Sequence, residues 1–296
     1  MVDPALSAIH VYAIKSVGGT APLEAVVEPW GLAGDRRWMV VEPGGQYVTQ
    51  RQQARLALVS AEPLPGGGIR LGAAGHEPLT VAVPEPGDGA AAVSTVWLHK
   101  EAVEVVSAGA AADEWFSGFL GSPVRLVHLD DPARRRPLTP EFARAGETVS
   151  LADEFPLLLT TTASLDALNS LIAQGDHPDE GPLPMNRFRP NVVVEGTAPW
   201  AEDGWRRIRI GEVVFRVTNP CARCVITTTD QETAERGKEP LRTLARHRRS
   251  ADQLLFGQNL VPELPELPEL PRTAGPLGDG RGAGTLRVGD RVEILE

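Results

Sequence analysis

Residues 56–71 read LALVSAEPLPGGGIRL: an apolar run, Leu56–Ala61, a turn, Pro63-Leu64-Pro65-Gly66-Gly67-Gly68, and a second run, Ile69–Leu71. Proline fixes φ and glycine admits left-handed dihedrals, so this punctuation ends one short strand and starts another. The same alternation continues outward. Upstream stand Ile9–Ile14 and Trp38–Glu42, the latter closed by Gly44-Gly45. Downstream stand Leu79–Val83, the turn Pro84-Glu85-Pro86-Gly87, Val93–Leu98 and Val103–Val106. Many short strands with few helices between them predict a small β-barrel or sandwich ending near residue 121. A helix closes this half: Ala112-Asp113-Glu114 places acid in its first turn, Trp115, Phe116, Phe119 and Leu120 form an apolar face, and Gly121 stops it. It is expected to pack as a lid.

The second half begins with Val124–Leu129 and the loop Arg134-Arg135-Arg136-Pro137, a solvated basic turn or, more sharply, a phosphate site. Leu157–Leu159 predicts a buried strand that leads through Thr160-Thr161-Thr162 into a helix over Ala163–Gln174. Leu165, Leu168, Leu171 and Ile172 share one face of that helix, and Thr162 or Ser164 can cap it. Further strands are expected at Asn191–Val194, Arg207–Ile210, Val213–Val217, Val225–Thr229 and Leu286–Leu295, with a basic helix near Leu241–Arg248. The fold class is therefore mainly β with attached helices (α+β), in two domains, 1–121 and 122–296. The repeat Pro262–Pro271, with proline at every third residue, favours polyproline II. With the Gly-rich 275–284 it forms an exposed insertion, 262–284, or a proline-motif docking site.

The chain has 296 residues, 42% hydrophobic and 23% charged, with 29 basic against 39 acidic side chains and a formal charge of −10. That balance argues against nucleic-acid or anionic-membrane binding outside a local basic pocket. No stretch approaches the ~20 apolar residues of a membrane span, and MVDPALSAIH lacks a signal-peptide pattern, so the cytoplasm is the expected compartment. Two cysteines exclude a disulfide framework and a four-thiolate iron–sulfur cluster.

Those cysteines sit together in Asn219-Pro220-Cys221-Ala222-Arg223-Cys224-Val225-Ile226-Thr227-Thr228-Thr229-Asp230. A structural zinc site lacks further thiols, and His247 stands alone downstream at the wrong distance. A thioredoxin-like dithiol should open a helix, yet β-branched residues follow. A third possibility is one thiolate beside Arg223, acting as nucleophile or as ligand to a soft metal brought by a cofactor. Against all three stands a pair of inert, buried cysteines. Cations flanked by polar residues recur elsewhere: Lys15-Ser16, Asp35-Arg36-Arg37-Trp38, Arg51, and Arg187-Phe188-Arg189-Pro190-Asn191. Guanidinium forks of this kind suit an anionic ligand.

Taken together, Tyr12–Ser16, Gly34–Trp38, Val48–Gln52, Phe188–Asn191, Ala201-Glu202-Asp203, Cys221–Asp230, Lys238–Leu241, Phe256-Gly257-Gln258 and Val288-Gly289-Asp290 resemble the MOSC family. The branch is the one that carries an N-terminal MOSC β-barrel domain and includes amidoxime-reducing enzymes and their bacterial relatives. The resemblance implies a C-terminal MOSC β-barrel-like domain and a molybdopterin-type molybdenum cofactor held between the domains. Cys224 would be the thiolate ligand to molybdenum. Lys15, Ser16 and Arg36 would hold the cofactor from the N-terminal side, and Arg189 and Asn191 from the other, with Arg223 placed to lower the Cys224 pKa.

The activity implied is reduction of small N-oxygenated compounds, such as amidoximes, with electrons from a separate ferredoxin- or flavin-type protein. A sulfurtransferase using a Cys224 persulfide, and a cofactor carrier, are the alternatives. Asp230 is expected to cap a turn rather than to act as an acid. Where the family often has Pro-Asp-Thr-Gly, this chain has Gln231-Glu232-Thr233-Ala234.

Overall fold

The strand Leu157–Thr161 is buried along its whole length, as an apolar run held between two other strands must be. It lies near the centre of a curled sheet in the computed structural model, which describes residues 3–87, 92–132, 141–144, 146–263 and 283–296. The strand order is Ala5–Ile9, Val192–Glu195, Leu157–Thr161, Gln253–Pro262, Val213–Ala222, Arg207–Ile210 and Val292–Ile294, with Arg249–Ser250 pairing beside Gln253–Pro262. The two edges meet: Ala5 bridges Arg291, the Val292 N–H donates to the Pro4 carbonyl at 2.8 Å, and Gly289 donates to Leu6 at 2.7 Å. This nearly closes the sheet into a barrel and leaves little unpaired edge. Leu157 and Leu159 alternate with Leu158, and Val192 and Val194 with Val193, so one face of each strand feeds the barrel core with Phe215, Ile208 and Leu260.

The first half supplies a second sheet, ordered Trp38–Val41, Arg125–His128, Glu101–Ser107 and Val93–Leu98, and a three-stranded meander, Ser60–Pro63, Ile69–Ala73 and His76–Val81. The helix Ala110–Leu120 buries Phe116, Phe119 and Leu120 with Trp38, Leu56 and Ile69, closing that core. Gly121 ends it in a left-handed conformation. The opposite face of the four-stranded sheet packs Met39, Val41, Val105 and Val127 on Leu151, which fixes the loop that follows Leu151. Packing does not follow chain order. Leu6, Ile9, Val11, Val27 and Leu32 feed the barrel core and Arg125–His128 joins the N-terminal sheet, so the halves interleave around residue 121.

Several elements differ from the sequence expectation. Leu56–Ala61 divides into a 3-10 turn, Ala54–Leu58, and the strand Ser60–Pro63; a short apolar run specifies burial more firmly than conformation. Ile9–Ile14 is a strand only up to Ile9, and beyond it Val11 and Ile14 make isolated bridges. Val225–Thr229 is a 3-10 turn over Val225–Thr228. There the hydroxyls of Thr227 and Thr228 donate to the carbonyls of Cys224 and Val225, both at 2.9 Å, replacing ladder bonds. Thr161 caps the following helix instead of Thr162 or Ser164, its Oγ1 accepting the Ser164 N–H at 3.1 Å. Leu286–Leu295 splits into Gly284–Arg287 and Val292–Ile294, in different sheets. Glu24–Glu28 and the ten-residue Gln253–Pro262 are further strands; Gln258 and Asn259 masked the apolar pattern of the latter. The arginine run 134–136 and the body of the proline repeat lie outside the described residues. Among the described residues, no helix is long and apolar enough to cross a membrane.

His128 ends its strand 2% exposed, its ring 4.4 Å from that of Trp38 and its Nδ1 without a partner. Burial, helped by Arg37, pushes its pKa down to about 3. The unfolded imidazole titrates near pH ~6.5, so between those values only the unfolded chain binds the proton. Its contribution is complete above pH ~6.5 and falls by about 1.4 kcal/mol per pH unit on acidification. Urea unfolding from pH 7 to 5 should show this slope, and His128→Phe should flatten it by one proton's worth.

Candidate functional site

Four chain segments converge where the barrel meets the N-terminal sheet. The first is the Ile14–Val17 turn, set by the Lys15 N–H on the Trp38 carbonyl (2.8 Å) and the Val17 N–H on Ile14 (3.2 Å). The Lys15 ammonium donates to the Leu151 carbonyl at 2.9 Å and to Asp153. The second segment follows Gly34. Asp35, fully buried, accepts the Tyr12 N–H at 2.8 Å and the Arg36 guanidinium. Arg36 also donates to Asn191 Oδ1 at 2.9 Å and to the Arg189 carbonyl at 3.2 Å.

The third segment carries Arg189 and Asn191. Arg189 lies 4.2 Å and Arg36 4.6 Å from the centroid of the Tyr12 ring, so one aromatic holds two guanidiniums. Burial lowers the Arg189 pKa to about 10, with Tyr12 opposing and Arg36 adding repulsion. Burial likewise pushes the Tyr12 phenol up to about 12. Arg189 Nη2 is buried with no partner in the protein, the mark of a donor awaiting an acceptor. The Asn191 amide is engaged at both its atoms: Oδ1 also accepts the Leu158 N–H (3.2 Å), and Nδ2 donates to the His10 carbonyl (3.2 Å). Asn191 therefore fixes Arg36 and two strands from the cavity floor.

The fourth segment is the cysteine pair. Register shifts around Pro220 bend the strand Val213–Ala222 out of its ladder and into the turn that carries both thiols. Arg223 donates to Cys221 Sγ at 2.9 Å and to the Phe188 carbonyl at 2.6 Å. This corrects the expectation that Arg223 serves Cys224. Its fork is committed to Cys221, whose thiol burial nevertheless pushes up. Arg51, which donates to Asp153 at 3.4 Å, lines the same cavity as Cys224; burial opposes its charge, while Asp153 and the Cys224 sulfur favour it, leaving its pKa raised.

These segments enclose a cavity of about 260 Å³ whose lining includes Lys15, Ser16, Arg36, Arg189, Asn191, Arg223 and Cys224, all the site residues expected from the sequence. Sequence reasoning gave no site role to Thr49, His99, Asp153 or Cys221, which also line it. Five cationic side chains face two carboxylates there, Asp153 and Glu154, in a chain of net charge −10. Although burial opposes it, Lys15, His99 and Arg51 hold the Asp153 carboxyl well below the usual range.

Among the described residues, Ser16, Arg36, His99 and Arg189, at φ of 65°, 48°, 56° and 54°, are four of the seven non-glycine residues with positive φ. Strained backbone thus gathers at this cavity. Other named cations turn away from it. Arg37 donates to the Leu129 and Asp130 carbonyls, and Arg187 to the Thr228 carbonyl and Asp230. Asp230 accepts the Glu232 and Thr233 N–H groups, both at 2.9 Å, as a turn cap does.

The chain matches two family profiles, one described as the MOSC N-terminal beta barrel domain over residues 3–123 and one as the MOSC domain over residues 146–293. Mitochondrial amidoxime-reducing component 1 of Homo sapiens is 33% identical over 97% of this chain and 82% of its own length. The same-named protein of Danio rerio is 36% identical over 74% of this chain and 66% of its own length. Molybdenum cofactor sulfurase of Danio rerio is 31% identical over 86% of this chain, which matches 32% of that longer protein. Among solved structures, the YUAD protein from Bacillus subtilis aligns over 98% of this chain and 94% of its own, at a TM-score of 0.39 and 8% identity.

At the cavity rim, Gln231 and Gln50 exchange side-chain amide hydrogen bonds of 3.0 and 3.1 Å, and Arg236 donates to the carbonyls of Gln50 and Arg51. This clamp fixes the segment bearing Arg51. Ala234 occupies the left-handed region at φ 60°, at the place where the related turn has glycine. A Cβ there costs about 1 kcal/mol. Ala234→Gly should therefore raise the melting temperature by roughly 2 °C, read by calorimetry, if the clamp is retained.

Proposed function

The chain belongs to the MOSC-domain family, in the arrangement with a MOSC N-terminal β-barrel domain, and from that premise we propose that its cavity binds a molybdenum cofactor and reduces N-hydroxylated compounds. The observation that carries this reading is the sharing of one cavity by the Cys224 sulfur and by Arg189, whose buried Nη2 lacks a protein acceptor. Among the described residues, no three His, Cys, Asp or Glu side chains converge on a metal position. A metal here draws most of its ligands from a cofactor, and a soft thiolate suits one already bound by sulfur.

The residues present fit such a group. Arg36 and Arg189, braced on Tyr12, offer guanidinium donors to a phosphate, and Ser16 adds a hydroxyl at the same wall. Lys15 and Arg51 line the same cavity, both paired with Asp153, and Cys224 lines it with them. When bound, the cofactor supplies two-electron chemistry at oxygen, and the protein supplies orientation and electrostatics. Cys224 would anchor the metal, with the Arg51 cation in the same cavity, and Arg223 holds the second thiol, Cys221. Electrons would come from an electron-transfer protein of ferredoxin or flavin type.

The likeness to molybdenum cofactor sulfurase favours a second reading, a sulfur or cofactor carrier. Anaerobic purification followed by metal, pterin and persulfide analysis separates them. Near one molybdenum per chain, with reduction of N-hydroxybenzamidine by a viologen donor, supports the reductase. Pterin without reduction indicates a carrier, and a metal-free persulfide a sulfurtransferase. Cys224→Ser should lose most of its molybdenum and its reductase activity while keeping its circular dichroism; a variant that retained both would overturn the ligand assignment.

A further inference from the structure

His99 has no part in the cofactor binding described above, yet it lines the cavity from the turn between the strands Val93–Leu98 and Glu101–Ser107. Its backbone is left-handed at φ 56°, a conformation uncommon for a non-glycine residue. The two ring nitrogens have different surroundings. Nδ1 is 3.2 Å from the Tyr47 hydroxyl, whose ring packs on the imidazole at 5.3 Å. Nε2 stands 3.7 Å from Asp153 Oδ1, close enough for attraction and too long for a direct hydrogen bond. Tyr47 thus sets the ring from Nδ1 while Nε2 faces Asp153 at ion-pair distance, and the side chain is 43% exposed to solvent.

Reduction of an N–OH group needs a proton source. The N–O bond breaks, two electrons arrive from the reduced electron-transfer protein, and two protons are taken up, so that R–NH–OH becomes R–NH₂ and water. The other polar groups of the lining are poorly suited to give that proton. Lys15 and Arg51 bind Asp153, the Cys221 thiol is held by Arg223, and Asp153 is kept ionised by its cations. Among the described lining residues, His99 is the one imidazole, the side chain whose charge ordinarily changes near neutral pH. The groups facing it are Asp153 from the loop after Leu151, Tyr47, and Lys15 and Arg51 beyond Asp153; Lys100 and Glu101 flank it on its own hairpin.

Building on the reductase reading, we propose that His99 donates, through Nε2, the proton that converts the departing N–OH oxygen into water, with Tyr47 positioning its ring. Each turnover leaves a neutral imidazole, which solvent reprotonates.

The test compares wild type with His99→Asn, chosen because asparagine tolerates the left-handed backbone. With a reduced viologen donor and N-hydroxybenzamidine, wild-type kcat should fall as pH rises through neutrality. His99→Asn should lower kcat roughly 100-fold with little change in KM, lose that limb, keep its molybdenum and pterin, and recover rate on addition of free imidazole. In cofactor-free protein, N-hydroxybenzamidine should displace the His99 ring signals by NMR and leave those of the exposed His247 in place. A His99→Asn protein with full cofactor and an unchanged kcat and pH profile overturns the proposal, as does unmoved His99 resonance. If His99→Asn and His99→Gln both lose the cofactor, the ring serves loading and the proposal also falls. Wild-type protein that carries the cofactor but reduces no N-hydroxylated probe overturns the reductase reading itself.

Discussion

A carboxylate buried completely out of water, Asp35, holds the cavity together. It accepts the Tyr12 N–H and the Arg36 guanidinium, and Arg36 then reaches Asn191 and the Arg189 carbonyl. Asn191 in turn fastens the Leu158 and His10 backbones. One buried ion thereby orders segments that lie more than a hundred residues apart in the chain. Burying a charge is costly unless it is paired and hydrogen-bonded, and loss of either partner of such a pair typically costs about 3–5 kcal/mol. The arrangement is therefore stable only when complete, which makes the placement of Arg36 and Arg189 on either side of Tyr12 a property of the fold rather than of any ligand.

The backbone around the cavity is strained in keeping with this. Each non-glycine residue in the left-handed region costs on the order of 1 kcal/mol, and such a conformation persists where neighbouring contacts over-determine it. At Ser16 the restraint is buried Gln50, which donates to the Ser16 carbonyl at 2.9 Å while its amide also pairs with Gln231. At Arg36 the Asp35 and Asn191 contacts hold the guanidinium, and at Arg189 the Phe188–Phe256 stack, with centroids 4.0 Å apart, anchors the preceding turn. In each case a packed or hydrogen-bonded neighbour fixes a side chain that would otherwise relax away from the cavity.

The β-rich class was legible because turn residues punctuate short apolar runs, and the helix at Ala110–Leu120 was legible because acid, an aromatic face and a stopping glycine agree. Gln253–Pro262 was not, since Gln258 and Asn259 are buried polar residues whose bonds go to Asp203 and Asn219, partners visible only in three dimensions. Val225–Thr228 misled for a related reason: β-branched threonines favour strands, but these hydroxyls found local carbonyls first. At the site, the cations and Cys224 could be named because a family pattern links separated motifs. The pairing of Arg223 with Cys221, and the placing of Arg51 in the same cavity as Cys224, depend on which way the turn after Ala222 faces, and no linear spacing encodes that. His99 stands in an ordinary hairpin turn and carries no local signal.

The cavity's charges divide into a fixed set and an exchangeable one. At the Arg36 end the countercharge is Asp35, which has no exposure and cannot leave, so an arriving anion meets guanidiniums already oriented and needs to displace nothing. At the Cys224 end the countercharge is Asp153, half exposed on a loop and shared by Lys15, Arg51 and the His99 ring. Anything anionic entering there competes with Asp153 for the same cations, and any change in the charge of Cys224 is felt by Arg51. The one cavity thus holds one set of cations fixed by a buried partner and another shared around an exposed one.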